Sequence, residues 1–216
     1  MSSLEEQTIG DADVHPRSVV ICCSALLLDI TSVCTLNNWR HLEVQCISAE
    51  LHNYPDKIPA AVKSLIDLAR EKSQQIFVAY ADCGTGGLLD ALLEQEQVER
   101  IPGAHCYEFY AGAKQFQQFH EAELGTFYLT DFLVRHFDRL VIRGLGLDKK
   151  PELMPLYFGH YRKLLYLAQT DNKKLRDAAL LAAKKLGLNY EFYFSGRGDL
   201  AAALHKFNNK ISTTML

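Results

Sequence analysis

The sequence predicts an α/β fold: a single doubly wound, mostly parallel sheet of five or six strands with helices on both faces. Short apolar runs such as Ser18–Cys23 (SVVICC) alternate with segments of helical periodicity such as residues 25–36. This alternation favours parallel strands joined by right-handed crossovers. No internal repeat, low-complexity tract or Pro/Gly/Ser-rich linker divides the chain. Residues 18–216 are therefore predicted to form one α/β domain after a flexible N-terminal tail of residues 1–17.

The other elements continue the alternation along the chain. Further strands are predicted at residues 42–48, 75–81, 98–106, 164–168 and 190–194. Helices are predicted at residues 59–72 and 86–95, in three segments between residues 113 and 163, from Asp171 or Asn172 to Leu186, and after residues 196–199. Gly187 has the position of a helix C-terminal residue, because glycine readily adopts a positive φ. The segments account for most of the chain without long loops.

Composition excludes several classes of protein. The 216 residues are 48% hydrophobic and 23% charged, with a formal net charge of -3, so neither a disordered chain nor a basic nucleic-acid binder is expected. The longest apolar stretches, such as Val19–Leu28, are too short to span a membrane. No secretory signal precedes the cysteines, so a cytoplasmic protein with free thiols or metal ligands is expected rather than a disulfide framework.

Cysteines follow three of the predicted strands. The sequence has Cys22-Cys23 at the end of the first strand, Cys83 after the third and Cys106 after the fourth. Because ligands bind at the carboxyl ends of parallel strands, these thiols are expected to meet, with His52 or His105 as a further ligand. Thiolate and imidazole suit zinc, and thiolates suit iron–sulfur clusters. The sequence therefore predicts a metal ion or an iron–sulfur cluster bound by Cys22 or Cys23, Cys83 and Cys106.

Packing is the competing explanation for each cysteine. Free cysteine is among the most buried residue types and often only fills a core. Cys34 and Cys46 lie within apolar periodic segments and are assigned to packing. One member of the Cys22-Cys23 doublet is expected to pack as well, since neighbours on a strand face opposite sides. Polar, glycine-rich surroundings make packing a weaker explanation for Cys83 and Cys106.

The loop from Asp82 to Gly87 (DCGTGG) allows a second interpretation. Its glycines let backbone N–H groups approach a ligand, and the helix that follows supplies a partial positive charge. Gly84, Thr85, Gly86 and Gly87 are therefore candidate cofactor contacts. Arg143 and Arg197 are candidates for holding a carboxylate or phosphate, although such arginines are more often solvated. A tight strand-to-helix turn would explain the glycines equally well, but not the cysteine.

The same loop also places Cys83 as a candidate nucleophile. A thiol at a helix N-terminus can have a lowered pKa. His105 would then act as the base, and Asp82 or Glu108 would orient it. This metal-free thiol enzyme is the alternative to the metal site, and the sequence leaves both open.

Several of these motifs occur together in one known family. They are the Val19–Cys22 strand (VVIC), the Leu51-His52 step, the loop YADCGTGG, the segment PGAHCYEFYAG, the segment GTFYLTDFLVRHFD and a later GDL turn. Together they resemble the DUF1638 domain family of uncharacterised prokaryotic proteins over most of residues 18–206. The resemblance implies a context among corrinoid methyl-transfer systems, and hence one-carbon or methylamine metabolism. The family's cysteine pattern corresponds here to Cys22, Cys83 and Cys106.

Three functions follow as expectations. The preferred one is a cytoplasmic metal- or iron–sulfur-binding enzyme that acts on a small molecule. The alternatives are the metal-free thiol enzyme and a non-catalytic accessory protein that delivers metal or cofactor to a corrinoid methyltransferase. Five phenylalanines, at positions 116, 119, 127, 132 and 137, either cover the sheet or form a homo-oligomer contact, and the sequence leaves this open.

Overall fold

The computed structural model describes residues 18–72 and 75–214, so the predicted flexible tail of residues 1–17 lies outside the described residues. Parallel strands and surrounding helices confirm the α/β class. The single sheet of five or six strands is wrong, however, because the strands form two separate sheets. The first sheet has the order β2-β1-β3-β4 and the second has the order β5-β6-β7.

The first sheet contains the amino-terminal strands. Its strands are β1 Ser18–Cys23, β2 Leu42–Ile47, β3 Gln75–Ala79 and β4 Glu99–Arg100. β1 lies in the middle, where Val20 is in register with Val44 on one side and Phe77 on the other. Every residue of β1 is buried, as expected for a parallel strand covered on both faces. The predicted fourth strand shrinks to two residues.

The second sheet begins with a strand that the periodicity did not predict. Its strands are β5 Thr126–Thr130, β6 Lys163–Ala168 and β7 Asn189–Phe194. Residues 126–130 (TFYLT) fall inside the region predicted as three helical segments, which is wrong there. β-Branched and aromatic residues after Gly125 favour a strand, and pairing with β6 places Tyr128 beside Leu165. Since β5 starts a new sheet, β6 and β7 have no partner in the first.

Helices cover both sheets. They are α1 Leu27–Leu36, α2 Ile58–Arg70, α3 Leu88–Glu96, α4 Cys106–Ala111, α5 Ala113–Ala122, α6 Asp131–Arg135, α7 Met154–Phe158, α8 Lys173–Leu186 and α9 Gly198–Thr214. A π-helical turn occupies Asp138–Arg143, and short 3₁₀ turns occupy Ala49–Asn53, Pro55–Lys57 and Pro151–Leu153. No helix within the described ranges is both long and apolar enough to cross a membrane.

The helices bury apolar stripes. In α2, Ile58, Val62, Ile66 and Ala69 recur at helical spacing and all are buried. α8 starts where Asn172 Oδ1 accepts hydrogen bonds from Lys174 N and Leu175 N, and it ends at Gly187 with φ +70. The predicted start and end of this helix are thereby confirmed.

The two sheets are joined by α4, α5 and α9. Along β6, side chains alternate, so Leu164 and Tyr166 face α8 while Leu165 and Leu167 face the other way. That other face is covered by Phe116 and Phe119 of α5 and by Tyr107. After β7 the chain returns, and α9 packs its buried stripe against the first core. The carboxyl ends of both sheets consequently contribute to the space between them.

Candidate functional site

The carboxyl end of the first sheet brings three cysteines to one place. Cys23 ends β1, Cys83 follows β3 and Cys106 begins α4. All three line a small cavity of about 10 Å³, together with His52 and Tyr80. The expected convergence of thiols from separate strand ends is thus present around this cavity. Of the two cysteines in the Cys22-Cys23 doublet, Cys23 lines this cavity. Cys22 points to the other face of β1, where burial and the nearby thiols of Cys46 and Cys34 raise its pKa.

The loop after β3 is organised by Asp82. The Asp82 carboxylate accepts hydrogen bonds from Thr85 Oγ1, from Gly86 N at 3.2 Å and from Gly87 N at 2.9 Å. Burial opposes its charge, but these bonds keep the pKa of Asp82 below its ordinary value. The amides predicted to hold an external anion are therefore engaged by the chain's own carboxylate. Binding of a cofactor by Gly84, Thr85, Gly86 and Gly87 stays a prediction.

Cys83 has an unusual backbone conformation within this loop. Its φ is +48, in the left-handed region that side chains other than glycine rarely occupy. Cys83 N donates to Ala104 O at 2.8 Å, and Asp82 N donates to Gly103 O at 3.2 Å. These two bonds tie the loop to the start of α4, so Cys83 and Cys106 lie against each other. Backbone strain of this kind is common at functional sites.

Burial keeps the three thiols protonated. It raises the pKa of Cys23 to about 12 and that of Cys83 to about 11, and it also raises the pKa of Cys106 well above its ordinary value. The neighbouring thiols add to the effect at Cys23 and Cys106, because like charges would repel. This direction is opposite to the lowered pKa expected for Cys83 as a nucleophile, and its role as a nucleophile stays a prediction. Loss of solvation outweighs any favourable effect of the helix that follows.

His52 supplies a neutral imidazole beside the thiols. Burial lowers the pKa of His52, so the ring is uncharged near neutral pH. Its Nδ1 lies 3.0 Å from Ala49 O. A carbonyl only accepts, so Nδ1 carries the proton in this assignment and Nε2 keeps its lone pair. His52 can thus accept a proton or bind a cation through Nε2.

A larger cavity of about 350 Å³ lies over the small one and between the two sheets, and we call it the central cavity. His52, Cys83 and Cys106 line both cavities. The first sheet's side also contributes Ala25, Ala49, Asn53, Gly84, His105 and Tyr107. The opposite wall consists of Phe127, Thr130, Phe132, Leu133, Leu140, Val141 and Leu145. Mostly apolar walls with a few polar groups are typical of small-molecule sites.

The remaining predicted residues have different positions. His105 lines the central cavity, and burial lowers its pKa. Glu108 is one turn further along α4, where its Oε2 accepts from Ala104 N at 3.0 Å. Arg143 is exposed at the end of the π-helical turn, and Arg197 donates to Ser32 Oγ at 2.8 Å and pairs with Asp29. Neither arginine contributes to the central cavity lining.

A metal site requires ligand atoms arranged around one ion, which is a stricter condition than cysteine side chains that line the same cavity. Within residues 18–72 and 75–214, no group of three or more His, Cys, Asp or Glu side chains is arranged to hold a metal ion. The thiols line a common space, and binding of a metal ion or an iron–sulfur cluster there stays a prediction.

The apolar wall from the second sheet is the part of the site that sequence reasoning missed. Thr130 ends β5, and Phe132 and Leu133 lie on α6 directly after it. Apolar residues carry no chemical signature, and the strand before them was interpreted as a helix. The signal that could have placed them is the β-branched and aromatic run of residues 126–130 after Gly125.

Comparison with protein-family models gives a match over most of the chain. The family model described as "Protein of unknown function (DUF1638)" matches residues 46–204, which is most of the chain. Cys83, Cys106 and His52 lie inside the matched segment and Cys23 lies outside it. No match is found among curated proteins or among solved structures.

Proposed function

Because this chain belongs to the DUF1638 family, whose description names no function, we propose a function from the site itself. The protein is an enzyme that binds a small, largely apolar molecule in the central cavity and holds its reacting part against Cys83, Cys106 and His52. The observation that carries this proposal is that these three side chains line both the central cavity and the small cavity beneath it. Polar groups therefore meet a bound molecule at one end of an apolar space.

The size and the lining of the central cavity support this proposal. A volume of about 350 Å³ is at the lower end of the range for small-molecule sites. Asn53 and Thr130 add hydrogen-bonding groups that would orient a bound molecule. The strained backbone at Cys83 and the shifted pKa values of the thiols and His52 are features that cluster at active sites.

The chemistry follows from the protonation states. Each thiol holds its proton, and His52 has an unprotonated Nε2. A neutral imidazole can take a proton from the bound molecule, and a thiol can return one, which is general acid–base catalysis. We do not assign a thiolate nucleophile, because the raised pKa of Cys83 opposes it.

A test uses a substitution that fills the central cavity. Leu133→Trp places a large ring in the half-buried wall, and Leu156→Trp is its matched control on an exposed leucine. Each purified protein is equilibrated with a deproteinised cell extract, and retained molecules are identified by mass spectrometry. We expect the unchanged protein and Leu156→Trp to retain one small molecule that Leu133→Trp loses. Retention of the same molecule by Leu133→Trp, or of none by any protein, would contradict the proposal.

A second candidate function is binding of a thiophilic metal ion by the small cavity. Three thiols and an imidazole line it, which is a donor set that suits zinc. The small volume, about 10 Å³, favours a mononuclear ion over an iron–sulfur cluster for this space. The ion would act as a Lewis acid on the molecule above it. Since the thiols are protonated, binding would have to release protons.

Cobalt(II) titration under anaerobic conditions tests the metal candidate. Thiolate–cobalt absorption together with proton release is expected, with affinity reduced by at least about tenfold in Cys83→Ser and in Cys106→Ser. The matched control is Cys46→Ser, because Cys46, which the sequence wrongly assigned to packing, is exposed on the edge strand β2. Equal binding by all four proteins, or no thiolate absorption, would refute the metal site. The one-carbon context and a corrinoid methyltransferase partner stay predictions from the family resemblance.

A further inference from the structure

A second cavity of about 960 Å³ adjoins the central one, and we call it the outer cavity. His105, Tyr107 and Phe127 belong to the lining of both cavities. These three side chains therefore form the boundary between the two spaces. The Tyr107 ring packs against Tyr128, Leu165 and Leu167 of the second sheet, and burial raises the pKa of its hydroxyl.

Aromatic rings form much of the wall of the outer cavity. They are Tyr107, Phe116, Phe127, Tyr128 and Tyr161. Tyr107 stacks on Tyr128 with ring centroids 5.2 Å apart and an interplanar angle of 21°, and Phe116 lies 5.3 Å from Tyr128. The rings come from α4, α5, β5 and the segment before β6, so packing of both sheets is needed to assemble them. Ring faces and edges of this kind favour a flat conjugated ligand.

The polar side of the outer cavity is formed by α5. Lys114, Gln117 and His120 line it and recur three residues apart, so they share one helix face. Glu108 is the carboxylate of this lining among the described residues, and its Oε2 is engaged by Ala104 N. Lys114 is exposed at the cavity and brings a full positive charge. An anionic group on the ligand would be attracted to this side.

We infer that the molecule bound in the central cavity extends past Tyr107 and Phe127 and ends in the outer cavity as a flat aromatic or conjugated ring that carries a negative charge near Lys114. This inference rests on the proposed function, because it assigns the outer cavity to the same ligand. It names a substrate class: a small molecule with an apolar reacting end and an anionic ring.

Two dyes of similar shape and different charge test the outer cavity. Anilinonaphthalene sulfonate is anionic and N-phenylnaphthylamine is neutral, and the fluorescence of both reports binding to an apolar site. Gln117→Trp fills the cavity from an exposed helix position without removing a packed side chain. We expect Gln117→Trp and Phe116→Leu to weaken both dyes at least about fivefold. Lys114→Gln should weaken only the sulfonate, and its control Lys174→Gln neither dye.

Failure of this inference can be distinguished from failure of the proposed function. The inference is overturned if neither dye binds, or if Gln117→Trp binds both as the unchanged protein does. It is also overturned if the molecule lost in Leu133→Trp has no ring, and the central-cavity proposal then still stands. If the dyes respond as expected but Leu133→Trp retains every extract molecule, the proposed function fails while the outer cavity stands as an independent ring-binding site.

Discussion

At the scale of single residues, Cys83 shows why this site is unusual. Its φ of +48 would suit glycine, yet the position carries a thiol that lines two cavities. A left-handed conformation costs a residue with a Cβ about 1 kcal/mol or more. The surrounding hydrogen bonds of Asp82 and Cys83 offset that cost by fixing the loop. The hydrogen bonds of the loop thus hold the Cys83 thiol in a position that an unstrained backbone would not favour.

The raised pKa of Cys83 leads to a prediction about its reactivity. Alkylation requires the thiolate, and a thiol with a pKa of about 11 gains thiolate by about tenfold per pH unit between about pH 7 and about pH 10. The rate of Cys83 alkylation by iodoacetamide should therefore keep rising across that range. Peptide mass spectrometry in the Cys46→Ser variant, which lacks the exposed thiol, measures it. A plateau below about pH 8 would mean an activated thiolate and would favour the metal-free thiol enzyme.

At the scale of elements, helices with local capping signals were predictable, whereas a strand that depends on its pairing partner was not. α8 was predictable at both ends because its cap residues, Asn172 and Gly187, act within a few residues of themselves. β5 was not, since five residues give too short a pattern to separate a buried strand from a buried helix. Its identity as a strand depends on pairing with β6. In that pairing Phe127 is in register with Leu164, and Leu129 is in register with Tyr166.

The predicted fourth strand shows that a short pattern can also predict more strand than the structure contains. The sequence predicts a strand over residues 98–106 that is interrupted by Pro102 and Gly103. The structure keeps only Glu99–Arg100 as β4, because Cys106 begins α4 instead. Cys106 nevertheless reaches the same edge of the sheet, since the backbone of residues 103 and 104 pairs with the loop at Asp82 and Cys83. The expected neighbour of Cys83 was right for a different structural reason.

At the scale of the whole molecule, the contact between the two sheets determines the cavities. The chain crosses back to the first sheet at Gly198, where φ is +46 and an added Cβ would lie 2.2 Å from Phe109 O. Close by, Asp29 of α1 accepts a hydrogen bond from Tyr110 Oη at 2.7 Å and pairs with Arg197. Burial raises the pKa of Asp29, so this link is formed at a cost in solvation.

Gly198→Ala should therefore disturb the molecule more than a typical glycine substitution. The backbone of α4 has to move to accept the new Cβ, and we expect a loss of at least about 2 kcal/mol in the free energy of unfolding. Gly196→Ala is the matched control, because Gly196 also has a positive φ but has open space around it, and about 1 kcal/mol is expected there. Urea unfolding measures both. Equal losses would show that the crossing is not tightly packed at Gly198.

The sequence by itself determined the α/β class, the positions of most strands and helices, and the meeting of Cys83 and Cys106 with one cysteine of the Cys22-Cys23 doublet at the carboxyl end of the sheet. These follow from periodicity, from capping residues and from the rule that parallel strands end on the same side, all of which act locally or by topology. Only the tertiary structure decided that there are two sheets, that Cys23 rather than Cys22 lines the small cavity, and that burial raises the pKa of the thiols. Each of these depends on which surfaces pack together and exclude water, and that information is distributed over residues far apart in the chain.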